Sequence, residues 1–216
     1  MIRIAVAKGR IEEDFNKLFK ESGFDVSTIE NKKRALLIRT CDDIEVCYVK
    51  AVDVVNLVEQ GFVDLGIVGN DTVAESSFRR DIRDLLNLQV GKCYFALAGR
   101  PGVQKSDIRR VASKYPNIAG AYFRRENLEV EIEEMQGSLE LAPIIGYADA
   151  IVDIVETGET LKANGLVVLD RIAGVSTRVV STDRVIENKA EELDRVLNPL
   201  RAAVERKNQA VKDMEL

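Results

Sequence analysis

Short apolar runs alternate with amphipathic segments along almost the whole chain. Residues 65–68 are apolar without alternation, as expected for a strand covered on both faces, and residues 52–60 show helical spacing and end at a glycine. Strands that alternate with helices in this way predict an α/β fold with mainly parallel sheets. The predicted strands are residues 2–7, 35–39, 45–49, 65–68, 92–98, 110–113, 129–132, 150–155 and 166–169. The predicted helices are residues 11–21, 52–60, 117–125, 139–145, 159–164 and 187–214, with a short one starting near residue 71.

Two stretches of the chain look like copies of one another. Residues 61–68 and 146–153 both read glycine, an aromatic residue, a small apolar residue, aspartate and then a mostly apolar run. One α/β unit written twice predicts two similar lobes that face each other across a cleft, where small ligands usually bind. We expect lobe I to comprise residues 1–92 and 175–216 with the C-terminal helices, and lobe II to comprise residues 93–174.

The composition favours a globular protein and excludes several classes of chemistry. Of the 216 residues 46% are hydrophobic and 31% charged, and the net charge of −5 argues against nucleic-acid binding through a general positive field. The absence of histidine excludes serine–histidine–aspartate catalysis and histidine-ligated metals. Cys41, Cys47 and Cys93 form no CxxC pair, and no apolar run is long enough to span a membrane. These features predict a cytoplasmic protein that binds neither nucleic acid nor membrane.

The strand at residues 150–155 leads directly into a loop suited to a phosphate. Residues 156–160 read Glu-Thr-Gly-Glu-Thr, and a predicted helix starts within them. Backbone N–H groups at a helix start lack intrahelical acceptors and attract anions. Thr157 and Thr160 add hydroxyl donors, and Gly158 lets an oxygen approach the backbone closely. The loop is not a P-loop, and simple capping of the helix by Thr157 is the alternative interpretation.

Charged residues follow two of the predicted strands. Asp149 and Asp153 are four residues apart and share one face of their strand, with Asp153 near its carboxyl end. A carboxylate beside a phosphate loop is suited to ribose hydroxyls or a cation, although it can also cap the loop. Lys8, Gly9 and Arg10 follow the first strand, where two cations could face either an anion or solvent.

Several motifs, taken together and in order, resemble one enzyme family. They occupy residues 8–10, 61–71, 112–116, 137–143 and 149–166. The chain resembles the short form of ATP phosphoribosyltransferase, the enzyme of the first step of histidine biosynthesis. The resemblance covers nearly the whole chain and implies a two-lobed core like that of type II periplasmic binding proteins. It also implies the reaction, in which N1 of the ATP adenine attacks C1 of phosphoribosyl pyrophosphate (PRPP) and pyrophosphate leaves.

The resemblance also implies roles for individual residues. The loop would hold the 5′-phosphate of PRPP, and two carboxylates near it would bind the ribose hydroxyls. Cations would face the pyrophosphate and the ATP phosphates, with Arg10, Lys8 and Arg34 as the catalytic ones. The residues expected on the PRPP side are Glu140, Asp153, Thr157, Gly158, Glu159, Thr160, Lys33 and Lys50, and those on the ATP side are Lys8, Gly9, Arg10 and Asp71. Mg²⁺ is expected to arrive with the substrates, and its protein ligands are not assigned.

Partners are implied in the same way. Short forms of this family work with a catalytically inactive relative of histidyl-tRNA synthetase in a hetero-octamer, and that partner carries the regulation. We expect this chain to lack a C-terminal regulatory domain, to form a homodimer, and to have low activity alone. Two alternatives remain open at this point: a two-lobed module that binds a small molecule without chemistry, and a subunit that has lost its activity.

Overall fold

The first strand lies at the centre of a sheet because almost all of its side chains are apolar. The computed structural model describes residues 1–40, 42–76 and 81–214. The strands are β1 (Ile2–Ala7), β2 (Leu37–Arg39), β3 (Ile44–Val49), β4 (Leu65–Gly69), β5 (Ile82–Asn87), β6 (Cys93–Gly99), β7 (Arg110–Ser113), β8 (Glu131–Glu134), β9 (Ala150–Val155), β10 (Val167–Val175) and β11 (Thr177–Thr182). The helices are α1 (Arg10–Glu21), α2 (Ser27–Glu30), α3 (Ala51–Glu59), α4 (Asn70–Glu75), α5 (Pro116–Arg125), α6 (Leu141–Ile145), α7 (Glu159–Ala163), α8 (Asp183–Asn188) and α9 (Ala190–Met214).

The chain divides into two compact units, each built on one sheet. Unit 1 comprises Met1–Gly91 and Ser176–Leu216, and unit 2 comprises Lys92–Val175. The sheet of unit 1 has the strand order β2-β3-β1-β4-β11-β5, and that of unit 2 has the order β10-β6-β9-β7-β8. In unit 1 the apolar face of α1, with Phe15 and Leu18, packs into the same core as the apolar side of α9, with Val196 and Leu200.

The two sheets have the same internal topology, as the repeated sequence predicts. Three neighbouring strands are parallel in each, β3-β1-β4 in unit 1 and β8-β7-β9 in unit 2. On one side of this core two strands extend each sheet in antiparallel fashion, β11 and β5 in unit 1, β6 and β10 in unit 2. The sheet of unit 1 has a third such strand, β2, which pairs with β3 on the other side. The α/β class is confirmed, but both sheets are mixed rather than mainly parallel. The reason is that β6 and β11, the first strands after the chain passes from one unit to the other, each run antiparallel to a strand of the parallel core.

The shared aspartate of the repeat performs the same task in both units. Asp64 accepts a hydrogen bond from the Arg3 N–H at 2.8 Å, and its own N–H donates to the Arg3 carbonyl at 2.8 Å. Asp149 accepts from the N–H groups of Arg109 and Arg110 at 2.8 and 2.9 Å, and its N–H donates to the Arg110 carbonyl at 2.9 Å. Each aspartate therefore fixes the start of its own strand against the start of the neighbouring parallel strand.

Two strands and the short helix α2 were not predicted, and several element bounds differ from the prediction. The strands β5 and β11 were missed because charged or hydroxyl side chains interrupt their apolar pattern. The strand predicted at 129–132 lies at Glu131–Glu134, and the one predicted at 166–169 extends to Val175. Of the cysteines, Cys41 lies outside the described residues, while Cys47 and Cys93 are half-buried free thiols. In the part of the chain that is described, no helix has the length and apolar character needed to span a membrane.

Candidate active site

The predicted phosphate loop of unit 2 is a strand–turn–helix junction. The strand β9 ends at Val155, and α7 begins at Glu159 after Gly158, whose φ of 80° lies in the left-handed region that favours glycine. The Thr157 hydroxyl accepts from the Glu159 N–H at 3.4 Å, a long and weak cap. Thr157 and Thr160 are both exposed. The geometry therefore leaves both hydroxyls accessible beside a helix start.

This loop encloses a cavity together with two carboxylates. Its volume is about 230 Å³. The lining residues are Glu140, Asp153, Ile154, Val155, Glu156, Thr157, Gly158, Thr160 and Leu161. The predicted PRPP-side residues of unit 2 thus line one cavity, with the exception of Glu159. The Glu159 side chain is exposed at the first position of α7 and does not line it.

Asp153 is the carboxylate of this cavity whose pKa is perturbed. Burial raises the pKa of Asp153, and the charge of Glu140 raises it further. The Ile154 N–H, which donates to Asp153 at 2.7 Å, and the charge of Lys114 act in the opposite direction. A half-buried carboxylate beside a second carboxylate is suited to accept hydrogen bonds from hydroxyl groups or to contact a cation.

Lys114 was not predicted as a site residue, although a signal for it existed. It is exposed, directly follows β7, and its charge acts on Asp153. In the repeat, β7 corresponds to β1, so Lys114 occupies the position that Lys8 holds in unit 1. The sequences at residues 4–8, Ile-Ala-Val-Ala-Lys, and 111–114, Val-Ala-Ser-Lys, are similar, and this similarity could have identified Lys114.

In unit 1 the predicted cations gather at one edge of the sheet. Because β3, β1 and β4 are parallel, the residues that follow them lie at the same edge. Lys8 follows β1 and donates its N–H to the Val49 carbonyl at 2.9 Å, which places it beside Lys50 at the end of β3. Gly9 has a φ of 91°, and Arg10 begins α1 immediately after it. The side chains of Lys8, Arg10 and Lys50 are exposed.

The loop before β2 reaches this edge as well. Because β2 runs antiparallel to β3, its beginning lies beside the end of β3, and the Tyr48 N–H donates to the Leu36 carbonyl at 2.9 Å. Lys33 and Arg34 are exposed there. Lys32 differs, because its ammonium group pairs with a carboxylate of α1 and lies 3.8 Å from the centre of the Tyr48 ring. The two predicted cations are thus available to a ligand, whereas their neighbour holds the loop in place.

Asp71 lies in the first turn of α4, which directly follows β4, next to the same edge. Its carboxylate folds over the α-carbon of Gly69, so closely that a Cβ atom on Gly69 would lie 1.9 Å from Asp71 Oδ1. Thr72 donates its hydroxyl to the carboxylate at 3.4 Å. The preceding residue, Asn70, exchanges hydrogen bonds with the backbone of Ser176 at 3.0 and 3.2 Å. The turn is therefore held by Ser176, the residue before β11, and Gly69 leaves the space that Asp71 occupies.

The predicted site residues consequently form two groups, one in each unit. Lys33 and Lys50, which were expected on the PRPP side, belong to the unit 1 group with Lys8, Arg10 and Asp71. In both units the group lies at the carboxyl ends of the three parallel strands, where α/β proteins bind ligands. Cations, exposed hydroxyls and carboxylates in this arrangement define a two-unit α/β protein that binds anionic small molecules.

Comparisons with known proteins identify the family. The family model HisG, described as ATP phosphoribosyltransferase, matches residues 50–202. The chain is 42% identical over 206 residues to an ATP phosphoribosyltransferase of Lactococcus lactis subsp. cremoris, covering 94% of this chain and 99% of that protein. It is 43% identical over 218 residues to one of Clostridium kluyveri, covering 98% and 97% of the two chains.

Solved structures agree with this. A chain of the ATP phosphoribosyl transferase (HisG:HisZ) complex from Thermotoga maritima is 31% identical and has a TM-score of 0.79. The match covers 95% of this chain and 100% of that chain. The periplasmic aliphatic sulphonate binding protein SsuA from Escherichia coli has a TM-score of 0.60 at 12% identity, with 98% and 75% coverage, and shares the fold alone. The periplasmic-binding-protein-like fold is thereby confirmed. The chain belongs to the ATP phosphoribosyltransferase family. It is a glycosyltransferase-type enzyme of the first step of histidine biosynthesis.

Proposed function

We propose that this chain joins N1 of the ATP adenine to C1 of PRPP, with the 5′-phosphoribosyl group held by unit 2 and the ATP phosphates and pyrophosphate held by unit 1. The observation that carries the proposal is the cavity of unit 2, which the loop and both predicted carboxylates line. Its volume of about 230 Å³ suits a phosphorylated sugar ring better than a whole nucleotide.

The loop residues would bind the 5′-phosphate. The two exposed hydroxyls of Thr157 and Thr160 donate to its oxygens, and the first N–H groups of α7 add backbone donors. Gly158 permits close approach, because no side chain shields the backbone there. Lys114 supplies positive charge on the same side of the unit 2 sheet.

Asp153 and Glu140 would bind the ribose hydroxyls. Both line the cavity, and repulsion by the charge of Glu140 helps to raise the pKa of Asp153. Hydroxyl donors or a cation would relieve this repulsion. Mg²⁺ in enzymes that bind substrate phosphates is usually held by one or two carboxylates together with those phosphates. This pair therefore fits an ion that arrives with PRPP. No group of three or more potential metal ligands lies among the residues that the structure describes.

The unit 1 edge would bind the more highly charged groups. Lys8, Arg10 and Lys50 are exposed at the ends of adjacent parallel strands, and Lys33 or Arg34 adds a further cation from the neighbouring loop. They would face the ATP triphosphate and the departing pyrophosphate. Asp71, at the end of β4, would contact the adenine or ribose of ATP.

The reaction makes small demands on acid–base groups. Adenine N1 attacks with its own lone pair, the bond between C1 and the pyrophosphate oxygen breaks, and the electron pair leaves with pyrophosphate. The chain's contribution is to hold two anionic substrates in line and to neutralise the developing negative charge with Lys and Arg. A chain without histidine can perform both tasks.

A second protein would regulate this chain. The Thermotoga maritima relative is part of a HisG:HisZ complex. By analogy we propose a HisZ-like, histidyl-tRNA-synthetase-related partner in a hetero-octamer, and a homodimer of this chain. The measurement is the mass of the assembly and its turnover, with and without such a partner. Activity of the isolated chain equal to that of the complex would argue against a regulatory role.

The loop assignment is tested by replacing Thr157 and Thr160 with valine and measuring both substrate affinities by calorimetry. PRPP affinity should fall at least tenfold, because each lost bond to a charged group is worth about 1.5–3 kcal/mol, while ATP affinity should be retained. Ser106→Ala is the matched control, since it removes an exposed hydroxyl just before β7, at the opposite edge of the same sheet. Equal losses for both substrates would refute the assignment.

A further inference from the structure

Thr177, the first residue of β11, carries a buried hydroxyl without a hydrogen-bond partner. The residue is 1% exposed, and within residues 1–40, 42–76 and 81–214 nothing hydrogen-bonds to its Oγ1 atom. Most buried polar side chains in native structures are paired, so an unpaired hydroxyl requires an explanation. No step described so far uses this residue.

The hydroxyl borders a small space beside Gly91. A Cβ atom on Gly91 would lie 3.1 Å from Thr177 Oγ1, 3.8 Å from Arg10 Nη2 and 3.8 Å from Asp14 Oδ2. The three side chains therefore converge on one point, which the bare α-carbon of Gly91 leaves open. Arg10 and Asp14 are four apart on α1 and share one face of that helix.

The backbone of Thr177 is held firmly in this position. Its N–H donates to the Val90 carbonyl at 3.0 Å, and its carbonyl accepts from the Leu88 N–H at 3.0 Å. It also faces Gly69 across the pair formed by β4 and β11. The backbone of Thr177 is thus fixed without the help of a hydrogen bond from the hydroxyl.

We infer that Thr177 is a positioning residue, whose hydroxyl accepts an N–H of the Arg10 guanidinium when Arg10 binds the nucleotide phosphates. A guanidinium has five N–H donors, and a phosphate held in bidentate fashion uses two of them. Thr177 and Asp14 then accept hydrogen bonds from other N–H groups of Arg10 and fix the plane of the guanidinium. Such bonds are often long in a ligand-free enzyme and tighten only in the complex. The inference rests on the proposed role of Arg10.

The test compares Thr177→Val, which keeps the shape and removes the hydroxyl, with Thr177→Ser, which keeps the hydroxyl. Valine should weaken ATP binding about tenfold, the value of one bond to a charged group, and leave PRPP binding unchanged. Serine should retain ATP binding. Because the hydroxyl is unpaired without ligand, valine should leave the melting temperature of the ligand-free protein unchanged or raise it.

The same measurements in an Arg10→Met background distinguish a failure of the role inferred for Thr177 from a failure of the role proposed for Arg10. If Thr177 acts through Arg10, valine has no further effect on ATP binding when Arg10 is absent. Wild-type ATP affinity in Thr177→Val, or an equal loss with and without Arg10, would overturn the inference. If the hydroxyl served only the stability of the fold, Thr177→Val would lower the melting temperature and leave ATP affinity unchanged. Wild-type ATP affinity in Arg10→Met alone would instead refute the proposed role of Arg10.

Discussion

Two glycines of the same strand should respond to alanine in opposite ways. Gly66 and Gly69 both lie on β4. A Cβ on Gly66 would lie 2.8 Å from methyl groups of Val54 and Val58 and 2.9 Å from one of Val180. A Cβ on Gly69 would lie 1.9 Å from a carboxylate oxygen of Asp71. The first obstacle is packed core, and the second is the end of a polar side chain that can rotate away.

The magnitudes follow from these contacts. Overpacking at Gly66 should cost about 1–3 kcal/mol of unfolding free energy, or roughly 2–12 °C in melting temperature for a chain of this size. Gly69 has φ −68° and ψ 144°, which alanine adopts without strain. Alanine there reduces the freedom of the unfolded chain, worth about 0.4–1 kcal/mol. This gain offsets part of the cost of displacing Asp71, so the net change in stability should be small.

The functional effects should be reversed. Gly69→Ala moves Asp71 from its place, so ATP affinity should fall about tenfold, the value of one lost hydrogen bond to a charged group, with PRPP affinity unchanged. Gly66→Ala should retain both affinities at temperatures where it is folded. Scanning calorimetry and titration calorimetry on the two purified variants provide the comparison. Wild-type ATP binding in Gly69→Ala would refute the role of Asp71. Unfolding of that variant would refute the expectation that the Asp71 side chain can rotate away from the new Cβ.

Two further predictions concern the charged groups of the site. Burial raises the pKa of Asp153, so its ionisation opposes folding. Asp153→Asn should therefore raise the melting temperature at pH 7, and the gain should vanish as pH falls towards the unfolded value of 3.8, while PRPP binding weakens. Asp170 is the matched control: the hydrogen bond from Lys105 lowers its pKa, so Asp170→Asn should lower the melting temperature at pH 7 and converge with wild type in acid. The same sign for both variants would contradict this account. Arg10→Ala should lower kcat about 10²–10³-fold, as expected for loss of a group that stabilises developing charge; unchanged turnover in a steady-state assay would exclude Arg10 from catalysis.

The sequence predicted those parts of the fold whose causes are local. The repeat at residues 61–68 and 146–153 predicted two equivalent strands, and the structure confirms both. The sequence pattern did not predict β11, because hydroxyl residues that are buried in the fold give that strand a polar pattern. One of these, Ser181, donates to the carbonyl of Asp64, a residue 117 positions away. Such a bond satisfies the side chain only in the folded protein, so the local pattern gives no sign of it.

Some residues of the candidate site could likewise be predicted from the local sequence, and others could not. The loop with Thr157 could be found because strand, turn and helix follow one another directly in the chain. Lys114 could have been found from the repeat. Thr177 could not, because its significance lies in the space it shares with Gly91 and with α1, which no spacing in the sequence reveals.

In each unit, residues important for stability and residues proposed for binding lie at opposite ends of the same strand. At the amino ends of β4 and β9, Asp64 and Asp149 make equivalent bonds to neighbouring strands. At the carboxyl ends the sequences differ, with Asn70 and Asp71 in one turn and Thr157 in the other. Residues that hold the sheet together must satisfy the same geometry in both units, which accounts for the same residue type at these two positions. Under the proposed function, residues at the opposite ends would face different parts of the substrates, and they can differ without disturbing the sheet. Substitution of either aspartate should therefore affect mainly stability, and substitution in either turn should affect mainly the binding of one substrate.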